Sequence, residues 1–452
     1  MINFRCWFIL NNCHRLERQK RPITTKSSFH SLPPQPRHYA LHKRTSRSRV
    51  HASLTSETAR AEEDRNVYLA LVTGGLEGVA KASICESLDI SNEHVSIVSQ
   101  PTLAKGLSAG QAGVGKLIIS VPESVSLESV VKLKGVQSMY AYLLHSNSVP
   151  TCPEGLEYVQ TLLARTNRWP QAFTLWRSYF LSQGFDVPAL GADTIRFRAR
   201  CIRDGTHAFT SQDVARRMGS AVQGVWNWPV DLKRYQCEVV GVMLESSFVC
   251  GLHLTTLQTS LKGNLPAEKV AHYVAAERRV SLRPSTAFLL LSLARIQPGE
   301  IVLDPMAGVG TIPIEAAIHF GARGIGGDLA SGAVVQAKEN AVEALKLGLI
   351  RSSSVEFYEW NTCALPLEDS MADAIVSDLP FGMSCELSKR MYPKAFAEMG
   401  RVVKPGGRAV LLMGSRRLLY DSIDMHCWKI MESYYPVNIG GLNACVIVLC
   451  KQ

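Results

Sequence analysis

IVLDPMAGVGTIPIE, residues 301–315, is the stretch whose reading decides the fold. Ile301, Val302 and Leu303 form an apolar, β-prone run, Asp304 and Pro305 close it, and Gly308 and Gly310 make a turn ahead of a helical pattern. In a doubly wound α/β sheet, a strand end followed by such a turn is where a nucleotide-like ligand sits. Glycine has no Cβ, so the backbone can approach that ligand closely. A dinucleotide fingerprint asks for a third glycine at the G-x-G-x-x-G spacing. Here Thr311 and Ile312 follow Gly310, and the third place is Pro313. A first helical turn tolerates proline, so the helix survives while the dinucleotide reading weakens. An acid at the strand end suits a ligand with a cationic group and no pyrophosphate. A plain β-turn-α packing role accounts for the turn alone equally well.

Outward from the turn, the pattern alternates. An apolar helix over 288–295 precedes it, and strands over 324–327, 355–358, 374–376, 408–413 and 444–449 follow, separated by helices over 312–320, 333–347 and 392–401. Strands alternating with helices of that length predict a parallel sheet, hence an α/β domain. Asp328 closes the second strand, 18 residues beyond Gly310, where an acid in a Rossmann-type sheet accepts from ribose hydroxyls. A surface carboxylate at a strand end reads the same.

Asp378-Leu379-Pro380-Phe381, after the fourth strand, is the sharper signal. The Asp378 carboxylate and the Leu379 carbonyl can each accept one N–H of a planar exocyclic amine, while Phe381 stacks on the base. Pro380 removes a competing donor and stiffens the turn. An aromatic amine is a poor nucleophile because its lone pair is delocalised. Two acceptors that hold it in line with a sulfonium methyl group supply proximity and orientation, and the carboxylate stabilises charge developing on nitrogen. A strand-to-loop turn with no such role is the alternative.

The 452 residues are enough for two or three domains. The formal charge of +10 resides in one place: residues 1–56 hold eleven of the 49 Lys/Arg and one of the 39 Asp/Glu, which leaves 38 of each sign in the remainder. A nucleic-acid footprint on the body must then be a local patch. No apolar run approaches the roughly 18 residues of a membrane span, so no membrane association is expected. Twelve cysteines spread from Cys6 to Cys450 show no C-x-x-C pair, which predicts reduced thiols and no metal site. Residues 1–60, rich in Arg, Ser, His and Pro, read as a disordered basic tail or a transit peptide. The first reading places the protein in the cytoplasm, also with access to the nucleus; the second places it in a mitochondrion or plastid.

Residues 66–150 carry strands over 67–72, 95–98, 115–121 and 136–143 with helices over 76–88 and 126–132, a small ferredoxin-like α+β unit without a catalytic constellation. Residues 150–190 read as a proline-punctuated connection with one helical stretch. The alternation over 194–201 then puts Ile195, Phe197 and Ala199 on one strand face and Arg196, Arg198 and Arg200 on the other. A helix over 209–222, capped by Thr210 or Ser211, carries Arg216 and Arg217, and Trp226 and Trp228 follow. Together with Arg203 these arginines and aromatics suit a phosphate-tracking surface; a solvated strand face with core tryptophans fits the pattern equally well.

The set SLRPSTA (281–287), DPMAGVGT (304–311), Asp328 and SDLPFG (377–382) resembles the class I methyltransferases of the THUMP-containing RNA guanine-N2 family. IRFRARCIRDGTHAFTSQDVARRMGSAV (195–222) resembles their THUMP domain, and VNIGGLNACVIVL (437–449) fits the same family. The resemblance runs from about residue 66 onward. It implies a Rossmann-like methyltransferase domain over 264–452, behind the ferredoxin-like unit and a THUMP RNA-binding domain over 151–258, with S-adenosyl-L-methionine as cofactor. The implied reaction is N2-methylation of guanine in tRNA, at guanosine 6 of the acceptor stem, alongside a small zinc-binding methyltransferase activator subunit. Another structured RNA, such as a spliceosomal small nuclear RNA, or a non-catalytic RNA-binding role are the alternatives. Carried over by position, Arg283, Ser285, Asp304, Pro305, Gly308, Gly310, Thr311, Asp328 and Asn361 line the cofactor site. Asp378, Leu379, Pro380 and Phe381 line the base site. Two departures stand out. Asn361 replaces the family's aspartate after the third strand, though its carbonyl can still accept from an adenine amine. The segment after Phe381, GMSCELSKRMYP (382–393), is short and weakly basic, leaving Lys389 and Arg390 for RNA contact.

Overall fold

A computed structural model of the chain describes residues 65–98, 113–189, 195–254, 273, 281–380 and 385–452. The expectations for the tail over 1–60 lie outside the described residues, as does nearly all of the polar stretch over 261–277.

The first sheet holds β1 (Arg65–Val72), β2 (Val95–Ile97), β3 (Gly115–Pro122), β4 (Val136–Ser146), β5 (Phe197–Asp204), β6 (Cys237–Leu244) and β7 (Ser247–His253), in the order β2-β3-β1-β4-β7-β6-β5. Its helices are α1 (Glu77–Leu88), α2 (Leu127–Val131), α3 (Glu154–Arg165), α4 (Trp169–Ser182) and α5 (Ser211–Trp226). Antiparallel pairing of β4 with β7, Tyr140 opposite His253, makes one continuous sheet of the strands on either side of residue 150. β1 explains its own sequence. Tyr68, Ala70 and Val72 enter the main core, whereas Leu69 and Leu71 join Tyr140, Val240, Val242 and Val249 on the opposite face. A strand buried on both faces reads as an unbroken apolar run.

Two expectations for this half are corrected. Residues 150–190 contain two helices, α3 and α4, where one was expected. Pro153 is the N-cap of α3 and Pro170 lies in the first turn of α4. Proline starts helices at those places, because its missing N–H has no intrahelical partner there anyway. Trp226 and Trp228 do not form a phosphate-tracking surface. Trp228 is fully buried, and the two rings stack with centroids 6.2 Å apart beside Trp169. Thr210 does cap α5, through a reciprocal capping box with Asp213.

The second sheet holds β8 (Ile301–Asp304), β9 (Arg323–Asp328), β10 (Val355–Glu359), β11 (Ala372–Asp378), β12 (Val403–Met413), β13 (Trp428–Ile439) and β14 (Leu442–Lys451). Their order is β10-β9-β8-β11-β12-β14-β13, parallel except for β14. Helices α6 (Pro284–Leu293), α7 (Thr311–Phe320), α8 (Ser331–Lys346), α9 (Cys385–Val402) and α10 (Arg416–Ser422) connect them. β13 has no counterpart in the sequence reading, and α9 starts at Cys385, earlier than expected. β13 is an edge strand, mostly exposed and interrupted by Pro436, so it lacks the apolar run that marks buried strands. From β8 the chain proceeds outward to β10 on one side, then returns to β11 on the other. The crevice at the carboxyl ends of β8 and β11 is therefore the switch point where open α/β sheets bind ligands.

The halves meet through buried polar contacts. Thr73 and Thr286 share a hydroxyl hydrogen bond of 2.9 Å, and the Asn438 amide donates to the Gly74 carbonyl at 2.9 Å.

Candidate functional site

Three aspartates end adjacent strands at the switch point: Asp304 on β8, Asp328 on β9 and Asp378 on β11. Asp304 is buried, its Oδ1 accepting from the Ser377 hydroxyl at 2.7 Å and the Met306 amide at 3.1 Å. Burial pushes its carboxyl up to about 7; those two donors oppose the rise, and the charges of Asp378 and Asp328 add to it. Asp328 accepts from two backbone amides, Gly308 at 3.0 Å and Ala330 at 2.9 Å. It thus ties the glycine turn to β9.

Asp378 differs from both. Its Oδ1 is buried and, among the described residues, has no hydrogen-bond partner, and burial raises its carboxyl to about 7. A buried carboxylate oxygen left unpaired costs on the order of 1–3 kcal/mol or more. At the switch point such an oxygen can accept from a ligand's donor. The loop behind it is fixed from both sides. Leu379 is fully buried, with its amide donating to the Leu412 carbonyl at 2.8 Å, and the Tyr392 hydroxyl donates to the Pro380 carbonyl at 3.0 Å. Phe381 lies outside the described residues, and so does the side chain of Lys389.

The two glycines of the turn have different tasks. Gly310, at φ +85°, has no room for a Cβ: one would lie 2.6 Å from the Phe357 ring. Gly308, at φ +54°, would meet nothing within 4 Å. Gly310 thus serves packing, and Gly308 faces open space. The close helix–strand approach that a third glycine usually permits is supplied from the strand: a Cβ on Gly324 would lie 2.4 Å from the Pro313 carbonyl. Thr311 is buried at the first position of α7.

Structure adds residues that the sequence did not flag. Asn340 on α8 is buried and donates to the Val309 carbonyl at 3.0 Å, holding the turn from behind. Trp360 donates to the Pro305 carbonyl at 3.1 Å, and its ring fills the space over Gly327. Ser377 and Tyr392 complete the set. They act across 12 to 73 residues, distances at which no local pattern can signal them.

The remaining expected residues are dispersed. Asn361 is exposed and its Oδ1 accepts from the Cys363 amide at 2.9 Å. Arg283 reaches the first sheet, donating to Gln137 Oε1 at 3.2 Å, and Ser285 is buried at the start of α6. The arginine row on β5 is largely engaged. Arg198 makes two bonds to Glu238 Oε1, one of them 3.0 Å long, and its guanidinium covers the Tyr235 ring at 4.3 Å. Arg196 meets Asp231 at 3.4 Å, and Arg200 is half-buried. Arg203 donates to the Gly205 carbonyl at 3.0 Å; Arg216 pairs with Asp213 at 3.0 Å, Arg217 reaches Gln160 at 3.3 Å, and Arg390 is exposed. Among the described residues, no group of three His, Cys, Asp or Glu side chains is arranged to hold a metal ion, and no helix is long and apolar enough to cross a membrane.

Residues 272–444 match the family model UPF0020, the RMKL-like methyltransferase domain. Over 271 residues the chain is 33% identical to tRNA (guanine(6)-N(2))-methyltransferase THUMP3 of Bos taurus, a match covering 57% of this chain and 51% of that protein. It is 31% identical over 226 residues to U6 snRNA (guanine-N(2))-methyltransferase THUMPD2 of Bos taurus, covering 49% of this chain and 40% of that one. The chain thus spans about half the length of the curated relatives it matches. TrmN from Thermus thermophilus superposes with a TM-score of 0.58 at 25% identity, covering 85% of this chain and 99% of that one. Residues 272–444 therefore carry a Rossmann-like domain that matches the RMKL-like methyltransferase model, within a chain similar to THUMP3, THUMPD2 and TrmN.

Proposed function

We propose that this protein methylates the exocyclic N2 of guanine in tRNA, at guanosine 6, with S-adenosylmethionine as the donor. The observation that carries the reading is the buried, unpartnered Oδ1 of Asp378 at the switch point. The other residues there fit an adenosyl sulfonium ligand. Asp328 gives one lone pair to each of two amides, and a carboxylate has about four, so sites remain for ribose hydroxyls. Asn361 Oδ1 accepts one amide and retains a lone pair for an adenine amine. The open side of Gly308 admits close backbone approach.

S-adenosylmethionine supplies an electrophilic methyl group; an N–C bond forms at N2, the S–C bond breaks and one N–H proton leaves. Asp378 accepts a hydrogen bond from the amine, orients its lone pair and stabilises positive charge developing on nitrogen. With its carboxyl near neutrality, it is also matched to take the departing proton and release it to solvent. Asp304 places the Pro305–Met306 turn and adds negative potential for the cation. The middle segment over 151–258 acts as the THUMP domain that grips RNA, and a small zinc-binding activator subunit completes the enzyme. The longer match to THUMP3 favours tRNA over U6 small nuclear RNA.

Labelled cofactor incubated with total RNA and the protein, with and without the activator, tests this. Label at guanosine 6 of tRNA is expected; label confined to U6 small nuclear RNA selects the other substrate, and no label in either arm sinks the reading. Asp378→Ala should abolish transfer while changing RNA affinity less than about twofold, because the substitution removes one acceptor and no phosphate contact.

A further inference from the structure

We infer that Arg416, Tyr420 and Tyr435 form a landing site for the RNA nucleotides that flank the target base, beside Asp378. This rests on the guanine-methylation reading above. The sheet register places the cluster. Asp378 on β11 pairs with Leu412 on β12, Leu412 with Val446 on β14, and Val446 with Tyr434 on β13. Tyr434 therefore lies level with Asp378, three strand spacings or about 14 Å across the sheet, and Tyr435 is the next residue along β13. Two residues after β12 ends, α10 begins with Arg416.

The side chains are arranged for nucleic acid. The Arg416 guanidinium sits 5.7 Å from the ring centroids of both Tyr420 and Tyr435. Tyr435 is 51% exposed, a large aromatic side chain left open to solvent on a strand edge. Arg417 beside it is almost fully exposed, with Asp421 at 3.6 Å as a loose partner. An arginine beside two rings keeps N–H donors that a phosphate can take. An exposed ring next to a cation is the pairing that binds a splayed nucleotide, base on ring and phosphate on arginine. A stem guanine must leave the helix to reach Asp378, so its neighbours need such a surface. The position is also continuous with the other half of the molecule: Asn438, three residues beyond Tyr435, donates to the carbonyl of Gly74 in the turn after β1.

The contrast with Arg198 supports the choice. Arg198 also lies over a tyrosine, but Glu238 neutralises it. Around Arg416, among the described residues, no carboxylate does so.

The test uses the full chain, its activator and a tRNA transcript, with Arg416→Ala, Arg416→Lys and Tyr435→Ala. Arg416→Ala and Tyr435→Ala should each raise KM for RNA about five- to tenfold with kcat held within about twofold, the loss of one stacked or phosphate contact. Arg416→Ala should lower the salt slope of binding by about one, whereas Arg416→Lys and Tyr435→Ala keep it. S-adenosylhomocysteine affinity and Tm should match wild type in all three. Wild-type RNA affinity and salt slope in both alanine variants overturn the landing site while leaving the methylation reading intact. If the wild-type protein binds tRNA without transferring a methyl group, the methylation reading fails and a lower affinity of Arg416→Ala still upholds the landing site. A wild-type protein that binds no RNA overturns both.

Discussion

Glu238 in the first sheet and Asp378 in the second are buried carboxyl groups in opposite circumstances. Burial alone would raise Glu238, but His253 at 3.1 Å and Arg198 outweigh it and hold the carboxyl down to about 2. Asp378 has no such partners, and burial pushes it up to about 7. In the first arrangement the carboxylate is matched by Arg198 and His253, and His253 stacks on Tyr140 at 4.7 Å, although its Nε2 has no hydrogen-bond partner among the described residues. The second is incomplete and carries the energetic penalty of an unmet hydrogen bond. A fold tolerates such a penalty where a ligand relieves it, so a buried acid whose partners are missing is a candidate functional group.

The largest expected effect breaks the complete side of that comparison. Glu238→Ala should lower the unfolding free energy by about 3–5 kcal/mol in denaturant titration, since Arg198 would be left half-buried without its countercharge. A loss below about 1 kcal/mol would make the cluster a solvated surface feature. The pH dependence has a definite sign. With its carboxyl depressed, Glu238 contributes stability that is present above the ordinary 4.5 and lost as pH falls towards about 2. Asp304 and Asp378 run the other way, their contribution being full below 3.8 and lost as pH rises through about 7.

Next in size is the pair of turn glycines. Gly310→Ala forces a Cβ into the Phe357 ring at a left-handed φ, and should cost about 2–4 kcal/mol from overpacking and strain together. Gly308→Ala, strained but unobstructed, should cost about 1 kcal/mol and instead weaken cofactor binding, measured by titration with S-adenosylhomocysteine. Equal stability losses with unchanged ligand affinity would remove Gly308 from the ligand side.

The smallest effect sharpens the incomplete side. kcat/KM for RNA should climb with pH and level off above about 7, because Asp378 must be ionised to accept from the amine and Asp304 titrates in the same range. A flat profile between about pH 5 and 8 would argue that the free Oδ1 has no part in catalysis.

Where one stretch of chain makes its own structure, the sequence was legible. The strand–turn–helix at 301–315, Asp328 and the Asp378 turn all stand at the carboxyl ends of neighbouring parallel strands, as their spacing predicts. Proline and tryptophan misled for a local reason: Pro153 and Pro170 start helices instead of breaking them, and Trp226 and Trp228 fill a core. Arg198 and Arg200 lie on β5, and Arg196 immediately precedes it. Whether an arginine meets a phosphate or a carboxylate depends on the adjacent strand, and β6 supplies Glu238 opposite Arg198.

By itself the sequence located the glycine turn and the strand-end acids, because such turns, acids and apolar periodicity are properties of contiguous chain. Tertiary structure alone decided the state of each group: that Asp304 has Ser377, that Asp328 holds Gly308, that Glu238 is neutralised and that Asp378 is not. Charge state depends on burial and on neighbours brought from 20 to 73 positions away, and no reading of local pattern contains those distances.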